Sequence, residues 1–446
     1  MRHGSDGSHL LRVLGVAFGI AAVIGGTIGQ GILRSPGVVA AGVPHAWLII
    51  LLWVLGGVAA LVDSMSTVEL AASIRRTGGA YAFLTRTFGR FAGLAAGIGV
   101  WLGYVGIIAF VSGLFGDYLH RLGILTMIPS NWLALAVLGI IGGIQAFGTR
   151  VSGASQELVS AIKALIFAGL VVALMLAPRG APVAASPPPV AMTAVGVIVA
   201  IRAILGTYLG WENAAFFGEE IKDFGKTVAR ATFGGIALVT MIYVLVNVAM
   251  LTVLTPQEMA GSNLVAADAA GRVFGPTGDT IMTAVSLISL ISIINTAMMA
   301  FPRLIYAMAR DAGIPHLSHV SGNGSPQVAL AVMVGVTAFF SQIGGYAILL
   351  AFSTWLMTSV AATVNLSAIV LRRREPDLER PYRMPLFPLP AIFALLVNLG
   401  FLAAFLYESP VTVLQASALV LVLAGTAYLS TRRTSGAVDS AVPGAA

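Results

Sequence analysis

Two short stretches place residues where they could do chemistry. Ile24-Gly25-Gly26-Thr27-Ile28-Gly29-Gln30-Gly31-Ile32 and Leu205-Gly206-Thr207-Tyr208-Leu209-Gly210-Trp211-Glu212 each set several glycines inside an apolar run. Glycine costs a helix interior about 1 kcal/mol relative to alanine. Inside a bilayer, a broken backbone survives only where it faces a protein cavity. Both stretches are therefore expected to be unwound. Unwinding frees N–H groups at the start of one half-helix and C=O groups at the end of the other. The N–H groups and the positive dipole end suit a carboxylate, and the carbonyls suit an ammonium. Together they can hold a zwitterionic α-amino acid without a charged side chain. Close packing through small residues is the other use of such glycines. Two breaks at matching places in two halves favour a transport site at the midplane.

The ionisable residues inside apolar runs are few. Lys163 lies about midway along its run, where snorkelling is difficult, and is a candidate titrating group or a permanently charged strut. Glu212 follows the second break, where a carboxylate near a free helix end can serve as a cap or packing contact. Asp63 and Glu69 share one run, where structural hydrogen bonding is the expectation. Arg202 is expected to pair with a carboxylate or reach outward, and Glu219 and Glu220 to pair with Arg or Lys. His316 and His319 are too few for a metal site and read as loop residues. With no cysteine and no histidine mid-run, no catalytic residue, metal site or cofactor is expected, and a disulfide-linked partner is excluded.

The elements that must position these residues follow from composition. Of 446 residues, 58% are hydrophobic and 10% charged, against roughly 25% charged in a soluble domain. This excludes a soluble enzyme, a disordered chain and a nucleic-acid binder. Apolar segments fall at 12–42, 45–72, 89–120, 131–149, 152–177, 194–220, 229–256, 278–309, 326–344, 346–371, 387–408 and 411–430. Each can cross about 30 Å of hydrocarbon, which predicts an all-α integral membrane protein of about twelve spans in a single transmembrane domain, 1–446. The first run is too long for a signal-peptide core and reads as a retained span. The ninth and tenth are divided only by Gly344-Gly345, and the Pro-rich piece from Ala177 to Pro189 reads as a loop. With the N-terminus inside, Arg and Lys concentrate on one side, in clusters such as Arg75-Arg76, Lys222 to Arg230 and Arg372-Arg373-Arg374; only Arg34, Arg121, Arg179 and Arg272 fall outside. That bias places both termini in the cytoplasm and accounts for the net charge of +7 without nucleic acid.

Five motifs in order resemble the amino acid–polyamine–organocation (APC) transporters over nearly the whole chain. They are Gly29-Gln30-Gly31-Ile32-Leu33 with Ser35-Pro36-Gly37, Glu69-Leu70 with Thr77-Gly78-Gly79-Ala80-Tyr81, Thr207 to Glu212 with Glu219-Glu220, Pro302-Arg303 to Pro315, and Arg380-Pro381-Tyr382 with Pro385. The resemblance implies the LeuT-like fold: inverted five-helix repeats over 1–177 and 194–372, peripheral helices 11 and 12 over 387–431, and discontinuous helices 1 and 6. It implies that the backbone N–H groups of Gln30 and Gly31 meet the substrate carboxylate, with Gly29 allowing close approach. It implies that the carbonyls of Thr27, Gly206 and Leu209 meet the ammonium, with Tyr208 and Trp211 lining or gating the pocket. It sets Lys163 where sodium-coupled relatives hold their ion, near the carbonyls of Gly25 and Ile28 and near Ser289 or Ser292, and it makes Glu212 a candidate proton sensor. The expected function is secondary active transport of neutral L-amino acids by alternating access. That transport is sodium-independent, proton-coupled or by exchange, in a bacterial inner (cytoplasmic) membrane, by a monomer or homodimer in contact with lipid. Gln30 stands where the family has a small serine. Gly206, Ile108 and Ala297 stand where relatives that take cationic substrates carry aromatic or polar groups. The alternatives are an amine, polyamine or cationic amino acid exchanger, and a non-transporting sensor of the same fold.

Overall fold

A computed structural model describes residues 10–29, 31–177, 192–262, 264–343 and 345–439. Gln30, Gly344, Arg2, Arg179 and most of the Pro-rich piece after Ala177 lie outside the described residues. Among those described there is no strand, only a single bridge between Leu14 and Ile221. The helices are α1 (Val16–Thr27), α2 (Gly31–Gly42), α3 (Ala46–Ile74), α4 (Ala80–Phe88), α5 (Arg90–Arg121), α6 (Ser130–Ala146), α7 (Thr149–Leu176) and α8 (Ala194–Thr207). After a 3-10 turn of chain at Trp211–Phe217 come α9 (Phe224–Val253), α10 (Pro256–Ala260), α11 (Val265–Phe274), α12 (Gly278–Asp311), α13 (Gln327–Ile343), α14 (Tyr346–Arg374), α15 (Leu389–Glu408) and α16 (Pro410–Asp439).

Among the described residues nine helical segments are long and apolar enough to cross a bilayer, or ten if α1 and α2 count as one bent span. The apolar helices α6 and α13 have 17 residues each, at the lower limit for crossing. The expected twelve spans are reached only if both of these cross. The long helices satisfy their backbone groups internally, as hydrocarbon demands. Between the seventh and eighth apolar segments lie the short helices α10 and α11; a Thr255–Glu258 capping box starts α10 by satisfying its free N–H groups.

Burial separates the helices. The span that includes α12 is 78% buried over its most apolar window and α5 is 72% buried, so these two form the centre. The windows of α15 and α16 are only 22% buried, so these two lie at the edge. Apolar side chains of α1, α3, α5, α9 and α12 fill two main cores. Buried amides cross between helices inside this packing. Gln145 of α6 donates to Asn295 of α12 at 2.7 Å, and Asn295 donates to Gln156 of α7 at 2.8 Å. Gln156 and Ser160 in turn donate to the carbonyl of Ala21 at 3.2 and 2.8 Å, which ties α1 to α7 just before the first break.

Candidate substrate site

Both glycine-rich stretches are broken. α1 stops at Thr27, Ile28 is extended, and α2 restarts at Gly31 with a bend of 51°. α8 stops at Thr207, and the chain turns through Tyr208, Leu209 and Gly210 before the 3-10 segment. Gly210 has φ +108°, a left-handed conformation that glycine adopts without steric cost. The two breaks touch. A methyl group on Gly26 would lie 2.7 Å from the Gly210 carbonyl oxygen, and one on Gly210 would run into the Gly26 carbonyl. Likewise a methyl group on Gly31 would lie 2.8 Å from the side chain of Thr207. Ser35 and Thr207 hydroxyls are 2.9 Å apart, which joins α2 to α8. Small residues at these positions are therefore a condition for bringing the interrupted backbones together.

The freed carbonyls have identifiable partners. Lys163 of α7 is fully buried, and its Nζ donates to the carbonyls of Gly25 at 3.1 Å and Ile28 at 2.5 Å. An ammonium thus sits on the oxygens that a helix break exposes. It makes no hydrogen bond to Ser289 or Ser292, whose hydroxyls are both buried without a partner. Tyr243 of α9 was not legible as a site residue. Its hydroxyl lies 2.8 Å from the Thr27 carbonyl and 3.1 Å from the Thr207 carbonyl, one from each break. A single proton serves one of these at a time, so the other carbonyl keeps acceptor capacity. A tyrosine inside the seventh apolar segment was the available signal.

The remaining expected residues separate into groups. Gly29 lies against Ile293 of α12, and Thr27 is buried with its hydroxyl unpaired. Gly206 faces open space, and Leu209 is 45% exposed. Tyr208 joins Trp53 and Tyr243 in an aromatic cluster and donates to the Trp53 carbonyl at 2.9 Å. Trp211 instead lines a cavity of about 90 Å³ with Leu209, Glu212, Asp63 and Asn365. Glu212 accepts from Tyr104 Oη at 2.6 Å and from the N–H of Gly210 at 3.0 Å, so it caps the broken turn. Asn213, also unanticipated, donates to the Gly210 carbonyl at 2.6 Å.

Charged residues gather beyond the second break. Glu219 pairs with Arg310 through two contacts of 2.9 Å, and Thr77 donates its N–H to Glu219 at 3.2 Å. Arg76 and Tyr81 both bond Asp311, at 2.7 and 2.9 Å. Burial opposes ionisation of Glu219, but the Arg310 guanidinium and the Thr77 N–H outweigh it and hold the carboxyl below its usual range. Glu220 is buried against Arg303 and accepts from Thr149 at 3.0 Å. Glu69 accepts from Arg372 at 2.9 Å and from the Met384 N–H at 2.6 Å. Arg202 pairs with Glu408 at the end of α15 and lies over the Phe405 ring. It therefore takes the carboxylate partner expected of it.

The pattern of the amino acid permease family matches residues 11–428. The chain is 27% identical to the serine/threonine exchanger SteT of Bacillus subtilis (strain 168), over 88% of this chain and 90% of the relative. It is 28% identical to the human Asc-type amino acid transporter 1, over 90% of this chain and 78% of the relative. It is also 28% identical to the cystine/glutamate transporter of Pongo abelii, over 91% of this chain and 83% of the relative. Family and relatives are transporters rather than enzymes, and amino acids are what they carry. With two interrupted helices in contact and a family match along almost its whole length, the chain belongs to the amino acid permeases of the APC superfamily.

Proposed function

We propose that this chain is a secondary active transporter of neutral L-amino acids, working by alternating access and without sodium. The observation that carries the reading is the contact between the two breaks at Gly26 and Gly210, which gathers free main-chain polar groups from both halves in one place. The substrate carboxylate lies at the N-terminus of α2, on the N–H groups of Gln30 and Gly31 beside Gly29. The ammonium lies on carbonyls of Thr27, Gly206 and Leu209, with Trp211 at its edge. Residues 1–177 and 194–372 act as the two halves that rock about this point. Ile108 and Ala297 are buried and uncharged, which favours a neutral side chain.

Sodium independence rests on Lys163. Its side-chain nitrogen occupies the Gly25 and Ile28 carbonyls, so a tethered amine stands where a free cation would compete. Coupling then runs through protons at Lys163 or Glu212, or through exchange of one amino acid for another. The chain sits in the cytoplasmic membrane with both termini inside. The relative named a serine/threonine exchanger supports small neutral substrates and an exchange mode. A cationic substrate is the second reading, and the observation behind it is that Asp63 and Glu212 line one cavity.

The test is counterflow in proteoliposomes. Vesicles loaded with unlabelled serine, threonine or alanine should take up the labelled amino acid equally with sodium or with choline outside. Lys163→Met should depress that uptake strongly while Lys163→Arg retains part of it. Uptake that requires sodium, or no counterflow with any common amino acid, overturns the reading.

A further inference from the structure

The cavity behind Trp211 has a chemistry that the helix breaks do not use. It lies among α3, α4, α5, α14, α15 and the 3-10 segment, with mostly apolar walls. Its polar groups are Asp63, Asn365, Asn398, Glu212 and two threonines, Thr67 and Thr358. Asp63 Oδ1 accepts from Asn365 at 3.0 Å and from Asn398 at 3.4 Å. Asn365 is 2% exposed, and its own carbonyl oxygen is buried with no donor. Glu212 has a donor on each oxygen, from Tyr104 and from the Gly210 N–H. Glu212 is the other ionisable group of the lining, and it and Asp63 repel one another. Tyr104 of α5 stands behind it. Among the described residues no Lys or Arg lines the cavity from α3, α4, α5, α14, α15 or the 3-10 segment.

Two features point to the same ligand. Two carboxylates facing one low-dielectric space without a counter-cation are an expensive state. An amide oxygen buried without a donor costs the full desolvation of that group. One proton on Asp63 Oδ2 relieves both. It removes one of the two negative charges, and it adds an O–H donor to the carboxyl whose other oxygen already accepts from the Asn365 amide N–H, so a donor becomes available for the unpaired Asn365 carbonyl oxygen.

We propose that Asp63, seated by Asn365 and Asn398, is a proton-binding site that works with Glu212 across this cavity. Glu212 caps the broken turn through the Gly210 N–H, so a charge arriving at Asp63 is felt at the second helix break. This links proton occupancy to the site where substrate binds. The step conserves charge: one proton moves from water to Asp63 Oδ2 and leaves from it to the opposite side, and no bond of the substrate changes. The inference rests on the transporter reading given above.

The experiment uses the full chain in proteoliposomes, with the amino acid that gives the strongest counterflow as probe. Under an inward gradient of one pH unit, the wild type should accumulate a neutral substrate about tenfold, the limit for one proton per substrate. Asp63→Asn keeps the shape and supplies an N–H where the neutral acid has its O–H. It should lose accumulation, to a ratio near one, while still exchanging labelled for unlabelled substrate at equal pH. Wild-type counterflow with no response to the pH gradient, or an Asp63→Asn protein that accumulates like the wild type, overturns the proton site and leaves the transporter reading standing. A response to a sodium gradient that Asp63→Asn removes would assign the cavity to an alkali ion instead. Competition by lysine or putrescine that Asp63→Asn removes would assign it to an organic ammonium. Either result also overturns the proposal. Failure of wild-type counterflow tests the transporter reading itself, which separates the two.

Discussion

A single methyl group has opposite consequences at two glycines four residues apart. Gly206 faces open space, and an alanine there has room for its methyl and a better helix propensity by about 1 kcal/mol. Gly210 has a left-handed backbone, and its added methyl would enter the Gly26 carbonyl. Gly206→Ala should leave the melting temperature of the purified protein unchanged or slightly raised. Gly210→Ala should lower it by several degrees and abolish counterflow, since left-handed strain costs roughly 1–2 kcal/mol before the clash is counted. Equal melting temperatures for the two variants would show that the breaks do not touch as described. The contrast isolates contact between backbones from the general glycine content of the helices.

At the scale of elements, the 3-10 segment is held at its far end by the Glu219–Arg310 pair, while Arg76 and Tyr81 fasten α4 and the end of α12 through Asp311. The folded Glu219 carboxyl sits below its ordinary 4.5 because Arg310 and Thr77 outweigh its burial. A depressed folded value means this group stabilises the latch above the unfolded value and ceases to do so as pH falls through the folded one. The melting temperature should therefore hold from neutral pH down to the ordinary carboxylate range and decline below it. Glu219→Gln should be less stable than the wild type at neutral pH and should show a smaller decline in acid. Parallel melting curves for the two proteins across that range would remove Glu219 from the latch.

At the scale of the whole molecule, the distribution of Arg and Lys sets an orientation that can be read out directly. The chain has no cysteine, so one introduced thiol reports alone. Asp377 lies in the exposed loop after the Arg372–Arg374 cluster, and Met127 is 95% exposed in the loop between α5 and α6. A membrane-impermeant maleimide should label Met127→Cys in intact cells and Asp377→Cys only in inverted vesicles, as the positive-inside bias requires. The reverse pattern would invert the topology. Labelling of both loops from one side would mean that the count of crossings between them is even, and α6 and α13, the shortest apolar helices, would be the first suspects.

The sequence by itself determined the long apolar helices, the two breaks and a mid-span lysine in need of oxygens, whose place at the first break came only from the family resemblance. These are local matters: twenty apolar residues must form a helix in hydrocarbon, glycines interrupt it, and a mid-span lysine needs nearby oxygens. Its family resemblance, carried on five short motifs, pointed to the fold class. The tertiary structure alone decided partners. That Tyr243 reaches one carbonyl from each break, that Tyr208 turns to Trp53 while Trp211 turns to the cavity, and that Asp63 meets Asn365 and Asn398 depend on helices hundreds of residues apart in the chain. The run Gln145, Asn295, Gln156 has the same origin, since an amide in an apolar span declares a need for hydrogen bonds but not which helix meets it. Period and composition fix which face of a helix is apolar; which neighbour that face touches follows only when all the helices are packed at once.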